Sequence, residues 1–406
     1  MTHLFDVTVI GSGLVGSSLA IALQHSGLSV ALVEAAPPSL REQPREDERN
    51  LALARASTTA LQTLGVWPRL AGTATPIRRI HVSRAGEFGA LRLDAARAGV
   101  DSLGAVVPAR ALAAALQQEL DLCTRIHRYV PAQLRDLRVS ADRVELNLQT
   151  PDGETTIATR LLVGADGTAS QVRALTGIGT DTIDYAQTLF VCSLLPQRPL
   201  DGLAYERFSD TGPLALLPLA DRRAGFVLSV PAPEAAAVAA LDDAGFLAHA
   251  QQRFGWRAGR FSRPGRRSAH PIRRVVAQGL TAPRCVLVGN AAQTIHPIGA
   301  QGFNLGLRDA LTLAELLIER HRGGGDAGSD ALLQTYAARR REDREGTLAF
   351  SHGLVQLACN PARVLAPLRS LGLLLLDGLP DAAGGIARRG MGFRGATSAY
   401  ALGVRP

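Results

Sequence analysis

The stretch Phe5-Asp-Val-Thr-Val-Ile-Gly11-Ser-Gly13-Leu-Val-Gly16 decides the fold. An apolar strand from Phe5 to Ile10 runs into three glycines, and the pattern that follows predicts a helix over 14–26. A second apolar run, from Leu28 to Val33, ends at Glu34. Strand, helix and strand in this order predict the first βαβ unit of a parallel sheet.

The glycine spacing predicts a dinucleotide site. Gly11 permits a tight turn, Gly13 lets the backbone approach a pyrophosphate, and Gly16 lets the helix pack on the strand. The helix start offers free N–H groups to that phosphate. Glu34 ends the next strand, where its carboxylate can accept hydrogen bonds from ribose hydroxyls. These residues leave NAD and FAD equally open.

Two later segments carry a family resemblance. Leu161-Leu-Val-Gly-Ala-Asp166-Gly167 is a strand ending in an acidic turn, and Cys285-Val-Leu-Val-Gly289-Asn290 begins a strand, a loop and a helix start that continue through His296-Pro297 to Asn304. Together with the glycine turn, they resemble the aromatic-ring flavin hydroxylases, and Asn290-Ala-Ala-Gln293 is similar to their ubiquinone-biosynthesis branch. The resemblance extends from Val7 to about Leu357 and implies FAD as the cofactor.

The resemblance also implies a set of FAD-binding residues. They are Gly11, Gly13, Gly16, Glu34, Arg49, Arg110, Asp166, Asn290, Pro297, Gly299, Gly302 and Asn304.

Each segment of this set has an implied role. Glu34 would hold the adenosine ribose, and Arg49, in the acid-x-Arg loop Asp47-Glu-Arg49, would lie near the flavin. Arg110 would touch the pyrophosphate, and Asp166 would lie between the dinucleotide and the core. Asn290 stands where most relatives have an aspartate against the ribitol, and an amide still bonds a hydroxyl. Residues 297–304 would wrap the flavin ring, with Gly299-Ala300 following the wider family.

The implied reaction adds one hydroxyl to the ring of a polyprenylated phenol, through a flavin hydroperoxide formed from O₂ in a dry pocket. No second glycine fingerprint follows a strand, so NAD(P)H would bind transiently or another protein would deliver electrons. The alternatives are another aromatic substrate, an FAD-dependent reductase, and a non-catalytic FAD-holding scaffold. No acid–base residue can be assigned from sequence: His296 is expected to be structural, and Tyr205 and Arg207 lie on a strand that either packs or meets substrate.

The predicted fold class is α/β, with a Rossmann-like FAD-binding domain, a discontinuous and mostly β substrate domain, and a helical C-terminal region. The FAD-binding domain is assigned to residues 1–76, 108–180 and 276–322. The substrate domain takes 77–107 and 181–275, and the C-terminal region takes 323–406. A helix is predicted over 52–64 and strands over most of 184–271.

Composition argues against several classes of function and site. Hydrophobic residues at 46% and charged residues at 20% describe a globular protein. The net charge of +8 comes from arginines spread along a chain without lysine, so no nucleic-acid partner is expected. The four cysteines lack metal-ligand spacing, and no metal site is expected. With no leader pattern and no apolar run near the roughly 20 residues of a membrane span, we expect a cytoplasmic protein.

A C-terminal apolar stripe leaves two alternatives open. Val364, Leu368, Leu371 and Leu375 recur at helical spacing near Arg363 and Arg369. The stripe either packs on the enzyme's own body or lies in a membrane interface, peripheral to the inner membrane, where a polyprenyl substrate would be found. A ubiquinone-biosynthesis protein assembly is the other implied partner.

Overall fold

The computed structural model describes residues 3–37, 49–360 and 362–406. Its first sheet has the strand order β18-β19-β11-β1-β2-β8, with β10 joined to β11 and β9 joined to β10. The strands are β1 (Leu4–Ile10), β2 (Val30–Val33), β8 (Ile126–Tyr129), β9 (Gln133–Val139), β10 (Val144–Thr150), β11 (Gly153–Gly164), β18 (Thr281–Ala282) and β19 (Cys285–Leu287).

The register of this sheet aligns the ends of its central strands. The strands β1, β2, β11 and β19 run parallel, with Ile10 opposite both Val33 and Gly164, and Gly164 opposite Leu287. The carboxyl ends of parallel strands meet at one edge of a sheet, which is where ligands bind in open α/β folds. The three segments singled out in the sequence therefore leave the sheet side by side.

The second sheet has the order β20-β17-β12-β15-β14-β13-β5-β6, with β16 joined to β12. Its strands are β5 (Arg79–Arg84), β6 (Ala90–Asp94), β12 (Thr180–Pro196), β13 (Leu203–Ser209), β14 (Gly212–Pro218), β15 (Ala224–Pro231), β16 (Phe261–Ser262), β17 (Ser268–Ala277) and β20 (Gln293–Thr294). A third sheet has the order β3-β7-β4, formed by β3 (Asn50–Ala54), β4 (Thr75–Ile77) and β7 (Gly104–Pro108).

The helices surround these sheets. They are α1 (Leu14–Leu23), α2 (Arg55–Thr63), α3 (Ala109–Asp121), α4 (Gln171–Leu175), α5 (Ala235–Ala239), α6 (Asp243–Phe254), α7 (Gln301–Arg322), α8 (Asp330–Ala358), α9 (Ala366–Gly378) and α10 (Pro380–Gly390). Short 3-10 turns occur at Trp67–Leu70, Ala232–Glu234, Gly289–Ala291, Ile298–Ala300, Arg363–Leu365 and Ala399–Leu402.

Alternation along the second sheet separates two apolar clusters. On β14, Leu214 and Leu216 point towards α6, where Phe254 is fully buried. Ala215 and Leu217 point to the opposite face and join a cluster that includes the third sheet. One face of the second sheet thus packs on its own helix, and the other packs on the third sheet.

Two sequence predictions of secondary structure were wrong. The helix predicted over 52–64 starts only at Arg55, because Asn50–Ala54 pairs antiparallel with β7 and tertiary pairing overrides local propensity. The region predicted to be strand-like contains α6, whose first turn is capped by the Asp242 carboxylate accepting from Gly245 N–H at 2.7 Å.

The C-terminal helices leave an apolar face uncovered. Leu373 and Leu376 of α9 pack with β6. The stripe residues stay accessible: Val364, in the turn before α9, is 79% exposed, and Leu368, Leu371 and Leu375 on α9 are 67%, 50% and 64% exposed. Packing on the enzyme's own body is therefore wrong for this stripe. In the part of the chain that the structure describes, no single helix is long and apolar enough to cross a membrane; only the bent pair Ala366–Gly378 and Asp381–Gly390, at 94°, meets that test.

Candidate flavin and substrate site

The glycine turn between β1 and α1 is closed by steric contacts. Gly11 adopts a φ of +97°, and a Cβ there would lie 2.6 Å from the carbonyl oxygen of Ala165. A Cβ on Gly16 would lie 2.0 Å from the carbonyl oxygen of Gly11. At Gly13, by contrast, no described protein atom lies within 4 Å of a Cβ. Two glycines thus shape the turn, and the third borders open space at the start of α1.

Glu34 reaches the glycine turn from the end of β2. Its carboxylate accepts a hydrogen bond from Ser12 N–H at 2.8 Å and another from Ala36 N–H at 2.8 Å. A negative charge is thus held beside the first free N–H groups of the turn, at the place where a ribose hydroxyl would meet it.

Asp166 follows β11 at the same edge. Its Oδ2 accepts from the N–H groups of Gln171 and Val172 at 2.7 and 3.0 Å, whereas its Oδ1 is buried without a described partner. Nearby, Arg173 donates to the carbonyl oxygen of Ala291 at 2.8 Å and so joins the second segment to the third. A buried carboxylate oxygen without a donor is costly, and a ligand hydroxyl would satisfy it.

Arg49 comes just before β3 and Arg110 just after β7, in the first turn of α3, so both lie at the same end of the third sheet. Asn50 pairs with Pro108, and Ala109 N–H donates to the carbonyl oxygen of Arg49 at 2.9 Å. Both arginine side chains are exposed. The remaining residues of the acid-x-Arg loop, Asp47 and Glu48, lie outside the described residues.

A buried network of charged side chains supports the loop around Asn290. Asn290 itself is exposed. Asp309 on α7 accepts from Gly289 N–H at 3.3 Å and from the Gln293 side chain at 2.5 Å. Arg340 on α8 donates to Asp309 at 2.7 Å and to Asp343 at 2.8 Å.

The opposite charges in this network stabilise one another's ionised forms. Burial alone would lower the pKa of Arg340, but Asp309 and Asp343 raise it above its ordinary value. Burial likewise works against the Asp343 carboxylate, whose pKa is nevertheless lowered by Arg308 and Arg340. These groups remain ionised, so the network holds the Asn290 loop as a rigid support.

Both ring nitrogens of His296 face other groups of the protein. It is fully buried; its Nδ1 accepts from Ile298 N–H at 3.1 Å, and its Nε2 faces the Gln187 side-chain oxygen at 3.4 Å. Burial lowers its pKa to about 4. A neutral ring with both nitrogens engaged shapes the loop, as expected for a structural histidine.

Residues 297–304 form a strained loop that starts α7. Gly299 and Ala300 have φ values of +66° and +50°, and the left-handed region is costly for alanine. Asn304 stabilises this turn by donating to the carbonyl oxygen of Ala300 at 2.8 Å. The Asn304 side chain also bonds Ala52, Ala54 and Ser57, so it is fully satisfied within the fold. At Gly302 no described protein atom lies within 4 Å of a Cβ.

These features fit FAD at the common edge of the sheet. Open space borders Gly13 at one helix start and Gly302 at the other, and the same edge carries the unsatisfied oxygen of Asp166 and the exposed amide of Asn290. Both helix starts offer free N–H groups and partial positive charge to an anionic ligand.

Comparison with known proteins identifies the family. Residues 5–351 match the family described as FAD binding domain. The chain belongs to the FAD-dependent aromatic hydroxylases. Ubiquinone hydroxylase UbiL of Rhodospirillum rubrum is 36% identical over 91% of this chain and 85% of its own length. The 3-demethoxyubiquinol 3-hydroxylase of Escherichia coli is 31% identical over 92% and 94%, respectively.

Solved structures of other proteins share the fold. The p-nitrophenol 4-monooxygenase PnpA from Pseudomonas putida superposes with a TM-score of 0.80 at 17% identity, covering 96% of this chain and 99% of that one. The flavin-dependent monooxygenase PieE, solved with FAD and substrate, gives 0.71 at 18% identity over 96% and 72%. The family resemblance and the α/β fold class predicted from the sequence are confirmed.

One polar residue near the loop, Glu206 on β13, was not identified from the sequence. Tyr205 and Arg207 were considered for the substrate, but the Tyr205 ring lies 5.6 Å from Phe254 on the side of the sheet covered by α6. Their neighbour Glu206 points to the opposite face, and the N–H of Gly299 donates to its carboxylate. Strand alternation was the signal that could have identified Glu206.

Proposed function

We propose that this hydroxylase adds a hydroxyl to the aromatic ring of a polyprenylated phenol in ubiquinone biosynthesis. The observation that carries the proposal is the glycine-lined edge of the sheet, where the open spaces at Gly13 and Gly302 flank Asp166 and Asn290. The names of relatives at 31–36% identity over most of the chain support the substrate class.

The proposed FAD site uses this edge. The turn from Gly11 to Gly16 receives the pyrophosphate with Arg49 and Arg110 nearby, Glu34 holds the adenosine ribose, and Asp166 and Asn290 bond ligand hydroxyls. Residues 297–304 lie against the ring, with Asn304 acting through the loop that it stabilises. When bound, FAD supplies the oxidising chemistry by activating O₂, with electrons from NAD(P)H or a protein donor that binds transiently.

Exchanging Asn290 for Asp is expected to preserve FAD binding. The side chain is exposed beside open space, and a carboxylate accepts from a hydroxyl as an amide oxygen does. Asn290→Leu removes the hydrogen bond, which is worth about 1 kcal/mol, or roughly fivefold in affinity. Equilibrium titration of the apoprotein with FAD measures both variants. Loss of FAD in Asn290→Asp would contradict the assigned contact.

The exposed face of α9 is proposed to rest on a lipid surface. Its stripe is flanked by exposed Phe88, since a Cβ on the adjacent Gly89 would lie 2.2 Å from Ser370 O. Exposed Arg388 and Arg389 on α10 supply positive charge, in keeping with the net charge of +8. A helix with an uncovered apolar face and neighbouring basic residues suits an anionic membrane, where a polyprenyl substrate partitions.

Replacing Leu368 and Leu371 with Ser tests the lipid contact. We expect the affinity for vesicles of phosphatidylcholine and phosphatidylglycerol, measured by sedimentation, to fall roughly 100-fold or more, since each buried side chain contributes about 1.5–3 kcal/mol. FAD content and turnover of a short-chain phenol should persist. Leu122→Ser with Leu402→Ser removes two leucines of similar exposure elsewhere and serves as the control. Unchanged vesicle binding, or equal losses in both pairs, would contradict the lipid contact.

The substrate assignment is tested in cells that lack the protein. We expect one polyprenylated precursor of ubiquinone, short of one ring hydroxyl, to accumulate and to disappear on complementation. Normal ubiquinone without an accumulated precursor would overturn the assignment. Substrate-stimulated O₂ uptake with ring hydroxylation separates the hydroxylase from an FAD-dependent reductase, which would consume the electron donor without modifying the ring.

A further inference from the structure

Glu206 on β13 is a carboxylate directed at the proposed flavin loop. The N–H of Gly299 donates a hydrogen bond to it, and Gly299 belongs to the loop that starts α7. On the same face of the strand, Phe208 packs with Ile298 of that loop and with Val355 of α8. Glu206 therefore lies between the second sheet and the loop.

The other surroundings of Glu206 are apolar. Its cross-strand neighbours are Val82 on β5 and Ala215 on β14, and the adjacent residues on its face are Ala204 and Phe208. Burial raises its pKa to about 7, and the Gly299 N–H limits the rise. Among the described residues, no charged side chain contributes to that shift.

Charged and titratable groups also occur on the elements packed around Glu206. Arg84, on the same face of β5 as Val82, is paired with Glu87 and with Asp210.

On α8's side, burial raises the pKa of the Cys359 thiol to about 11, with Glu206 contributing to the rise. In the loop, burial lowers the pKa of His296 to about 4. Tyr185, which contacts His296, also has a raised pKa through burial. Of the groups here whose pKa is shifted, Glu206 is the one whose pKa lies near 7. His352 on α8 also reaches this cluster, through the Tyr185 hydroxyl at 3.2 Å.

Glu206 retains accessible surface despite this enclosure. Glu206 is therefore within reach of a small molecule on the face of the second sheet that also carries Phe208. A carboxylate held by one N–H keeps lone pairs free for a second donor.

We propose that Glu206 is the general base that accepts the phenolic proton of the substrate during ring hydroxylation. This inference rests on the proposed function. An aromatic ring attacks an electrophilic oxygen more readily as its hydroxyl loses its proton, because the oxygen's electron pair then moves into the ring. A base with a pKa near the working pH serves this step best.

The proton balance of the step is simple. The phenol O–H bond breaks, the proton forms a new O–H bond on the Glu206 carboxylate, and its electron pair is released towards the ring. The oxidant is O₂ activated by reduced FAD. One oxygen atom forms a bond to the ring carbon, whose C–H bond then breaks and gives its proton to water, and the other oxygen atom leaves as water. Glu206 ends the step as a neutral acid and then releases its proton to water.

Glu206→Gln tests the role without removing the loop contact, because the amide oxygen still accepts from Gly299 N–H. With FAD photoreduced anaerobically and then mixed with O₂ and a short-chain prenylated phenol, we expect ring hydroxylation to slow roughly 100-fold or more. FAD content and the Kd for the phenol should stay near the wild-type values. The wild-type rate should rise up to about pH 7 and level off above it, and Glu206→Asp should retain that pH limb.

A fluorinated phenol that is ionised at the assay pH provides the rescue. It needs no base, so the wild type and Glu206→Gln should hydroxylate it at similar rates. A Gln variant that hydroxylates the un-ionised phenol at the wild-type rate, or is equally slow on both phenols, overturns the proposal. If the wild type hydroxylates neither phenol, the proposed function fails instead, so the two failures are distinguishable.

Discussion

Gly302→Val is expected to lose FAD while keeping the fold. Apart from its own helix backbone, no described protein atom lies within 4 Å of a Cβ at this position, so the protein itself has room for the added side chain, which would instead meet the proposed flavin. Overpacking of that kind costs about 1–3 kcal/mol, which is roughly five- to 150-fold in affinity. Valine is no worse than glycine inside a helix, so α7 should form normally.

Fluorescence titration of apoprotein with FAD, alongside far-ultraviolet circular dichroism, measures this loss. Gly384→Val is the matched control, because Gly384 is an exposed glycine in helix α10 with no described atom within 4 Å of its Cβ. Wild-type FAD affinity in Gly302→Val would show that the flavin does not lie against this loop. Losses of the same size in both variants would point to a general effect of the substitution.

Arg340→Leu is expected to produce the largest loss of stability. Arg340 is 1% exposed and bridges Asp309 and Asp343, so its removal leaves two buried carboxylates without their shared partner. Breaking a buried pair in this way typically costs about 3–5 kcal/mol. FAD affinity should fall as well, because Asp309 holds Gly289 and Gln293 beside Asn290.

Urea unfolding measures the change in the free energy of unfolding, and Arg341→Leu is the control. Arg341 is the next residue of the same helix and is exposed, so its substitution should change stability by no more than about 0.5 kcal/mol. An Arg340→Leu protein as stable as the control would mean that the network adds nothing to the fold.

Local sequence was enough to predict the strands and turns that meet at the proposed FAD edge. Gly11, with its steric demands, and Glu34, at the end of a strand, belong to one βαβ unit. Within such a unit, residues close in sequence are also close in space. Asp166 and Asn290 follow apolar strands in the same way. Parallel pairing of those strands then brings the three segments together.

The rest depended on contacts between distant parts of the chain. The strand Asn50–Ala54 exists because β7 pairs with it, and the support of Asn290 by Arg340 spans two helices. Glu206 gains its setting from Gly299, far along the chain. Nothing in the residues next to Glu206 distinguishes it from a solvated strand acid until the loop covers it, so only alternation along β13 could have directed attention to its face.

Ring oxygenation in a single turnover tests the central claim most directly. The purified holoprotein is reduced anaerobically by light and then mixed with a short-chain prenylated phenol and isotopically labelled O₂, so that no electron donor has to be known. We expect the flavin released by acid to be FAD, and the phenol recovered to carry one labelled oxygen atom on its ring. Reoxidation of the flavin with all of the label in hydrogen peroxide and none in the phenol would contradict the account.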